Sequence, residues 1–182
     1  MRKIIEYCIV SADGTFDDPD PVQAGVRGYQ DDAYVRDSLG LFHACDAMLF
    51  GRATYELFAR SYGLGGGNPA YAVRFNAMRK YVFSSKLEHA EWNNSTIVRG
   101  DVVEQVTRLK QQPGANLVVL GHGRLSETLL QHRLIDVLEL SIYPELLGRG
   151  RPFLRDGQAV KLKLTATKSF ANNVKLIYEP RS

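Results

Sequence analysis

Two wholly apolar runs of four residues, at 47–50 and 117–120, each end at a glycine that is followed by a helical pattern. Short runs without apolar–polar alternation are typical of strands buried on both faces of a parallel sheet. Residues 3–11 and 80–83 are further short, β-rich segments. Strands separated by helices build parallel sheets through βα units, so the sequence predicts an α/β domain.

Helical patterns lie between these strands. The first carries apolar residues at the i, i+4, i+7 spacing from Val35 to Phe42, and Asp31 or Asp32 can cap it. Another begins at Asp101, which together with the glutamate three residues later resembles a capping box. These segments are expected to cover both faces of the sheet.

The pattern changes toward the C-terminus, where residues 137–143 and 160–167 alternate between apolar and polar. In the second run the even-numbered positions, Val160 through Ala166, are expected to face one way. The lysines of these late strands, including Lys175, are expected on a solvated face. Alternation predicts antiparallel strands at this end of a mostly parallel central sheet. No linker or repeat divides the chain, so residues 1–182 form a single predicted domain.

Composition excludes several classes of protein. Hydrophobic residues make up 45% and charged residues 24%, as in ordinary globular domains, and the net charge is +3. The sequence contains no run of five like charges, so it predicts no nucleic-acid partner. No apolar run approaches the roughly 18 residues of a membrane span. The four histidines show no metal-ligand spacing, so no metal is expected. Cys8 and Cys45 lie far apart, which favours reduced core thiols in the cytoplasm.

Three strand ends carry groups suited to phosphate. Glycine before a helix start exposes backbone N–H groups and the positive end of the helix dipole, and hydroxyl or guanidinium groups add to them. The candidate groups are Gly51, Arg52 and Thr54 after the first apolar run, Ser84 and Ser85 after the segment 80–83, and Gly121, Gly123 and Arg124 after the run 117–120. Each set taken alone is equally explained by a tight turn. Together, at the C-terminal ends of parallel strands, they fit the diphosphate and extra phosphate of NADP, with Arg52 on the 2′-phosphate.

The order of the motifs GRATYE, YVFSS and VVLGHGR resembles the cofactor-binding series of dihydrofolate reductase. Over nearly its full length, the chain more closely resembles the reductase-domain family found at the C-terminal end of bifunctional riboflavin-biosynthesis proteins, especially its stand-alone members. The segments SADG after the first strand, WNNST before RGDVV, and PELLGRG near the end carry that resemblance. It implies a dihydrofolate-reductase-like fold.

The resemblance also implies that NADPH is the cofactor. Gly51, Arg52 and Thr54 would then hold phosphates, with Ser84 and Ser85 around the adenosine 2′-phosphate. Gly121, Gly123 and Arg124 would cradle the pyrophosphate, and the backbone near Ile9 would meet the nicotinamide. The carboxylate that serves folate reduction should lie on the first helix, where counting back from GRATYE gives Val35, or Asp32 with a shifted alignment. Dihydrofolate reductase activity is therefore not expected, and the zinc deaminase pattern is absent.

Two functions remain open. The first is an NADPH-dependent reductase of a small pterin- or pyrimidine-like heterocycle or of a carbonyl compound, with Asp13 as the candidate acid. Asp13 is equally explained as a turn residue. The alternative is a non-catalytic NADP(H)- or nucleotide-binding or regulatory protein on the same fold.

Two further expectations concern loops and assembly. The glycine-rich segments 14–30 and 63–68 are expected to flank the cleft and to move on ligand binding. The alternating C-terminal strands have few helices to cover them, which predicts a homodimer; a monomer whose own helices cover the strands is the alternative.

Overall fold

The computed structural model describes residues 1–15, 26–153 and 159–181. Its strands are β1 (Ile4–Ser11), β2 (Cys45–Gly51), β3 (Arg79–Phe83), β4 (Ser95–Val98), β5 (Asn116–Leu120), β6 (Val137–Tyr143), β7 (Leu162–Ser169) and β8 (Val174–Pro180). Its helices are α1 (Asp32–His43), α2 (Arg52–Phe58), α3 (Pro69–Ala77), α4 (Val102–Gln111) and α5 (Arg124–Gln131). A 3-10 turn, Val26–Tyr29, precedes α1, and a π-helical turn, Ala59–Gly63, continues α2. The predicted loop 14–30 falls mostly on residues 16–25, which lie outside the described residues.

The strands form one eight-stranded sheet in the order β4-β3-β2-β5-β1-β6-β8-β7. The first six strands in this order, from β4 at the edge to β6, run parallel to one another. Strand β8 pairs antiparallel with both β6 and β7. The prediction of a mostly parallel α/β sheet with an antiparallel C-terminal part is confirmed. This arrangement brings the C-terminal ends of six strands to the same edge of the sheet.

Both faces of the parallel part are buried. Along β5, Val118 joins the core beneath α1, α2 and α3, while its neighbour Val119 joins the core beneath α4 and α5. Both are at most 2% exposed. Two-sided burial explains why this strand reads as a continuous apolar run, and the predicted helices on both faces are confirmed.

Two predicted helix starts are confirmed. Asp31, not Asp32, caps α1 by accepting a 2.7 Å hydrogen bond from the Tyr34 backbone N–H. Asp101 caps α4 in the same way, with the Glu104 N–H at 2.8 Å. The reciprocal half of the expected capping box was wrong, because the Glu104 carboxylate pairs with Arg108 one turn later. The i, i+4 partner competes successfully for that side chain.

The C-terminal strands differ from the prediction in two respects. Strand β7 starts at Leu162 and a bulge lies between Leu164 and Ala166, so the expected common face from Val160 to Ala166 was wrong. Antiparallel pairing sets Leu164 opposite Tyr178 on one face and Ala166 on the other. An extra residue in one strand reverses the alternation beyond it.

The prediction that Lys175 lies on a solvated face was also wrong. Lys175 is fully buried, because its pairing with Ser141 of β6 directs its side chain toward α1. Both cysteines are buried and unbonded. Within the described ranges, no helix is long and apolar enough to cross a membrane, and no cluster of three histidine, cysteine or acidic side chains could hold a metal ion.

Candidate functional site

A cavity of about 410 Å³ lies at the edge where the parallel strands end. Its walls come from β1 and β6, from α1, from α2 with the turn behind it, from α3, and from the β5–α5 junction. Most of its lining side chains are aromatic or aliphatic, among them Phe42, Phe58 and Phe75. No carboxylate lines it among the residues that the structure describes. Such a cavity suits a flat, largely apolar ring.

Three of the predicted site residues line this cavity: Ile9, Thr54 and Gly121. Gly121 follows β5 with a φ of +72°, which favours glycine, and its N–H donates to the Tyr7 carbonyl at 2.9 Å. A Cβ built on Gly121 would lie 3.7 Å from Cγ2 of Thr54, so the β2–α2 and β5–α5 junctions stand side by side. The structure thus brings two of the three predicted phosphate sets together.

Gly51 and Gly123 occupy the N-cap positions of α2 and α5, and neither helix start has a capping side-chain bond. Neither glycine has a positive φ, so conformation does not require glycine there. A Cβ on Gly123 would meet nothing within 4 Å, which leaves the start of α5 open to an approaching group. Arg124 is the first residue of that helix. An open, uncapped helix start next to the cavity fits a pyrophosphate.

Arg52 of the first predicted set does not line the cavity, and neither do Ser84 and Ser85, the predicted set at the end of β3. Arg52 forms a 2.7 Å ion pair with Glu56, and its side chain is 49% exposed. The Ser84 hydroxyl accepts backbone N–H bonds within the turn that also holds Ser85. Arg99, which was not among the predicted site residues, donates to the Ser84 carbonyl. This places the Arg99 guanidinium group at the turn that holds the two serines.

Asp13 does not line the cavity. Its carboxylate accepts hydrogen bonds from the hydroxyl groups of Ser11 and Thr15 and, at 2.8 Å, from the N–H of Gly148. The Ser11 bond first, and the Gly148 bond second, lower the pKa of Asp13 to about 2. The carboxylate therefore joins the SADG and PELLGRG segments. A second tie is the 2.8 Å bond from the Ala12 N–H to the Glu145 carbonyl.

The glycine-rich loop 63–68 does flank the cavity, where Gly67 and Asn68 line it. Gly67 has a φ of +75°, and a Cβ there would come within 2.3 Å of the Tyr62 ring. Glycine is thus required on two counts, and it lets the loop close on the aromatic wall. Gln30, at the end of the other predicted loop, also lines the cavity.

A buried acid–base pair lies against the cavity wall. Nδ1 of His122 is 2.6 Å from Oε1 of Glu6, and both side chains are at most 1% exposed. The imidazole stacks on Phe153 with 4.1 Å between ring centroids, and Arg151 donates to the His122 carbonyl. His122 and Arg151 both line the cavity. The sequence offered no sign of this pair, because Glu6 sits in an apolar strand far from His122.

The cavity floor was not foreseen either. Tyr7 lines the cavity from β1, and its hydroxyl group bonds to Tyr34 and, at 3.1 Å, to Ser38 of α1. The Tyr34 hydroxyl donates to Ser141 of β6 at 3.0 Å. The first helix therefore presents hydroxyl groups to the cavity region, whereas Asp32 is exposed.

The chain is similar to members of one known protein family. The family model described as RibD C-terminal domain matches residues 2–176. The uncharacterized protein YyaP of Bacillus subtilis strain 168 is 27% identical over 182 residues, which cover 96% of this chain and 92% of that protein. A second protein of the same strain, YwjB, is 26% identical over 186 residues, with 97% of each chain covered.

Two solved structures share the fold at lower identity. A putative riboflavin biosynthesis protein from Shewanella sp. PV-4 matches with a TM-score of 0.80 at 17% identity, covering 99% of each chain. The diaminohydroxyphosphoribosylaminopyrimidine deaminase/5-amino-6-(5-phosphoribosylamino)uracil reductase of Thermotoga maritima matches with a TM-score of 0.71 at 16% identity, covering 99% of this chain and 57% of that one. The chain thus belongs to the RibD C-terminal domain family and has its dihydrofolate-reductase-like fold.

Proposed function

We propose that this protein is an NADPH-dependent reductase of a small, flat heterocycle, pterin- or pyrimidine-like, or of a small carbonyl compound. The observation that carries the proposal is that Ile9, Thr54 and Gly121 line one cavity with aromatic walls. A dinucleotide whose phosphates lie at the helix starts would reach into the same space that a flat substrate fills. Hydride transfer needs the two rings in contact and water excluded, which an apolar cavity provides.

The residues present fit the cofactor. The open start of α5 at Gly123 and Arg124, with Gly51 and Thr54 alongside, would hold the pyrophosphate. Arg52, Ser84 and Ser85 would hold the adenosine 2′-phosphate, and the Ile9 backbone would meet the nicotinamide. NADPH, when bound, supplies a hydride ion to the substrate.

The relatives support a reductase role. The Thermotoga maritima protein is named as both a deaminase and a uracil reductase, and this chain spans 57% of its length. Because the zinc deaminase motif is absent from this sequence, only the reductase half has a counterpart here. We therefore place the pyrimidine-like ring first among candidate substrates.

A non-catalytic NADP(H)-binding or regulatory role is the second candidate. The observation that favours it is the cavity lining, which contains no carboxylate among the described residues to protonate a pterin as dihydrofolate reductase does. The low pKa of Asp13 points the same way, because a carboxylic acid with a pKa of about 2 has lost its proton at neutral pH. The proposed acid role of Asp13 is the part of the reductase proposal that this observation weakens most.

One screen separates the two candidates. Purified protein is given NADPH with a dihydropterin, a ribityl-substituted aminopyrimidine, menadione or 4-nitrobenzaldehyde, and NADPH oxidation is followed. We expect oxidation with at least one of them, and a matched loss in a Gly123→Val variant whose helix start is blocked. Tight NADPH binding without oxidation in any mixture would favour the second candidate.

We also propose a homodimer in the cytoplasm. Strand β7 is exposed along most of its length, and Leu164 is 51% exposed on the antiparallel part of the sheet. An apolar sheet surface next to an open edge is commonly covered by a second copy. The two buried, unbonded thiols support a reducing compartment. Light scattering at micromolar concentration should give about twice the 20.4 kDa of one chain, and a mass near 20.4 kDa would exclude the dimer.

A further inference from the structure

The cavity floor contains a chain of buried hydroxyl groups that ends on a buried ammonium group. The Tyr7 hydroxyl contacts Ser38 Oγ at 3.1 Å, and Ser38 Oγ accepts a hydrogen bond from Lys175 Nζ at 3.5 Å. Tyr7 is 7% exposed, and Ser38 and Lys175 are fully buried. Polar groups buried this deeply in an aromatic cavity are costly unless they have partners, so their alignment is a specific feature of this fold.

The hydrogen bonds run in one direction. Tyr34 donates to Ser141 at 3.0 Å, so its oxygen accepts the proton of Tyr7. Tyr7 then accepts from Ser38, and Ser38 accepts from Lys175, whose ammonium group can only donate. Each oxygen along this path both donates and accepts. Such a chain can pass a proton from Lys175 toward Tyr7 without leaving a buried group unsatisfied.

The far end of the chain reaches solvent through a cluster of charges. Lys175 Nζ lies 2.6 Å from Oδ2 of Asp37 and 3.3 Å from Oε2 of Glu139. Asp37 also pairs with Lys168, whose side chain is 44% exposed. Partial burial raises the pKa of Asp37, but the hydrogen bonds and charges of the two lysines outweigh burial and hold it below its usual value. Asp37 therefore stays ionised and keeps the ammonium group in place.

The cavity end of the chain is a tyrosine that keeps its proton. Burial first, and then Tyr34 and Tyr71, raise the pKa of Tyr7 well above its ordinary value. The Lys175 ammonium group lies 5.2 Å from the centre of the Tyr7 ring, where its positive charge would stabilise the phenolate left when the proton departs. The titratable groups next to Tyr7 are Tyr34 from α1, Tyr71 from α3 and Lys175 from β8, and Lys175 in turn contacts Asp37 of α1 and Glu139 of β6. Only the lysine is cationic among them.

Tyr7 also lies beside both parts of the cavity. A small annex is lined by Tyr34 and Ser141, and it shares Ile9 and Tyr143 with the main cavity that Tyr7 lines. The Tyr7–Tyr34 contact thus joins the main cavity to its annex. Ile9, two residues along β1 from Tyr7, is the position proposed for the nicotinamide.

We infer that Tyr7 donates the proton that completes the reduction, that Ser38 and Lys175 return it, and that the substrate's reducible group is a C=O or C=N. The inference rests on the proposed function. The substrate carbon accepts the hydride and the π-electron pair moves to the heteroatom. The Tyr7 O–H turns from Tyr34 toward that heteroatom and gives it the proton, while NADP⁺ is left as the oxidised product. The Tyr7 oxygen takes a proton from Ser38, Ser38 takes one from Lys175, and the Lys175 amine regains its proton from a solvent hydronium ion at Asp37, so that each turnover consumes one solvent proton.

The first test needs no turnover. Protein labelled with ¹³C at tyrosine Cζ is examined without ligands, and the Tyr7 signal is assigned by its loss in Tyr7→Phe. In Ser38→Ala and in Lys175→Met the Tyr7 signal should shift, while the signal of Tyr55, whose hydroxyl accepts the Trp92 N–H at 3.0 Å, should stay. Ser38→Ala keeps the test valid if Lys175→Met does not fold. An unmoved Tyr7 signal in both variants would overturn the relay.

The second test uses the substrate that supports the fastest NADPH oxidation in the screen. Tyr7→Phe should lower kcat about 100-fold or more, as loss of a general acid commonly does, with NADPH affinity within about twofold of wild type. Ser38→Ala should lower kcat with KM unchanged. The control is Tyr55→Phe, a buried tyrosine 3% exposed that does not line the cavity, which should keep kcat within about twofold.

The contrary outcomes fall into separate classes. Full activity of Tyr7→Phe, or a loss confined to Tyr34→Phe, would overturn the inference and leave the reductase proposal standing. A wild-type protein that oxidises NADPH with no substrate in the panel would overturn the proposed function, and with it the assignment of Tyr7 as an acid.

Discussion

The sheet edge and the cavity floor are built in opposite ways. At the edge, glycines and helix starts expose the backbone, and the side chains are partly open to solvent, as the 49% exposure of Arg52 shows. On the floor, Tyr7, Ser38 and Lys175 from three elements place side-chain groups in contact under full burial. The comparison teaches that binding phosphate needs little more than a turn of defined shape, whereas placing one proton needs several elements to pack correctly.

The largest expected effect concerns the stability of the floor. Lys175→Met should lower the free energy of unfolding by about 3 kcal/mol, because Asp37 and Glu139 lose the buried cation between them. Lys168→Met removes a partly exposed lysine from the same aspartate and should cost less than about 1 kcal/mol. Urea unfolding of both variants measures the difference. Equal losses would mean that the floor and the rim are held with similar strength.

A second variant tests the edge. Gly123 has an extended backbone and open space at its Cβ position, so Gly123→Val should fold with little loss of stability. Its side chain would stand where the pyrophosphate is proposed to approach, and NADPH affinity should fall about 10- to 100-fold, or about 1.4–2.7 kcal/mol. Gly123→Ala should give a smaller loss. Calorimetric titration that shows unchanged affinity for both variants would place the phosphates elsewhere.

The smallest expected effect concerns Asp13, which belongs to the edge. Its pKa in the folded protein, about 2, lies below the ordinary value of 3.8, so its bonds to Ser11 and Gly148 stabilise the fold above about pH 4. That contribution should be lost between about pH 4 and pH 2 as the carboxylate takes up a proton.

Melting temperatures of wild type and Asp13→Asn check this sign. The gap between them should be largest above pH 4 and should close near pH 2. The exposed Glu88→Gln variant, which removes the same charge, should show no comparable gap. A gap that widens on acidification would contradict the assigned role of Asp13 in joining the two loops.

The contrast also explains what could be predicted from the sequence. The strand run 117–120 and Gly121 are adjacent in the chain, so a local pattern predicts both the strand and the open turn. A parallel sheet then implies that the strand is buried on both faces and that the C-terminal ends of the parallel strands lie at one edge. The structure confirms both. Whether these residues bind NADPH stays a prediction.

The floor could not be predicted in this way. Tyr7 and Lys175 stand near opposite ends of the chain and meet only because β1, β6 and β8 are neighbours in the sheet. Counting back from GRATYE placed Val35 at the expected position of the carboxylate. The rotation of α1 instead turns Tyr34 and Ser38 inward, one residue before and three residues after it. A shift of one residue on a helix changes the direction of a side chain by about 100°. Lys175 looked like a surface lysine because the alternation of its strand carries no information about the charges opposite.

Calorimetric titration of the wild-type protein with NADPH and with NADH tests the central claim, NADPH binding along the sheet edge, most directly. We predict that NADPH binds about 10-fold tighter or more, because a charge-assisted contact to the 2′-phosphate contributes about 1.5–3 kcal/mol. Arg52→Ala should remove most of that preference and leave NADH affinity almost unchanged, since Arg52 exchanges only an exposed ion pair with Glu56. Equal affinity of the wild type for the two cofactors, or no binding of either, would contradict the account.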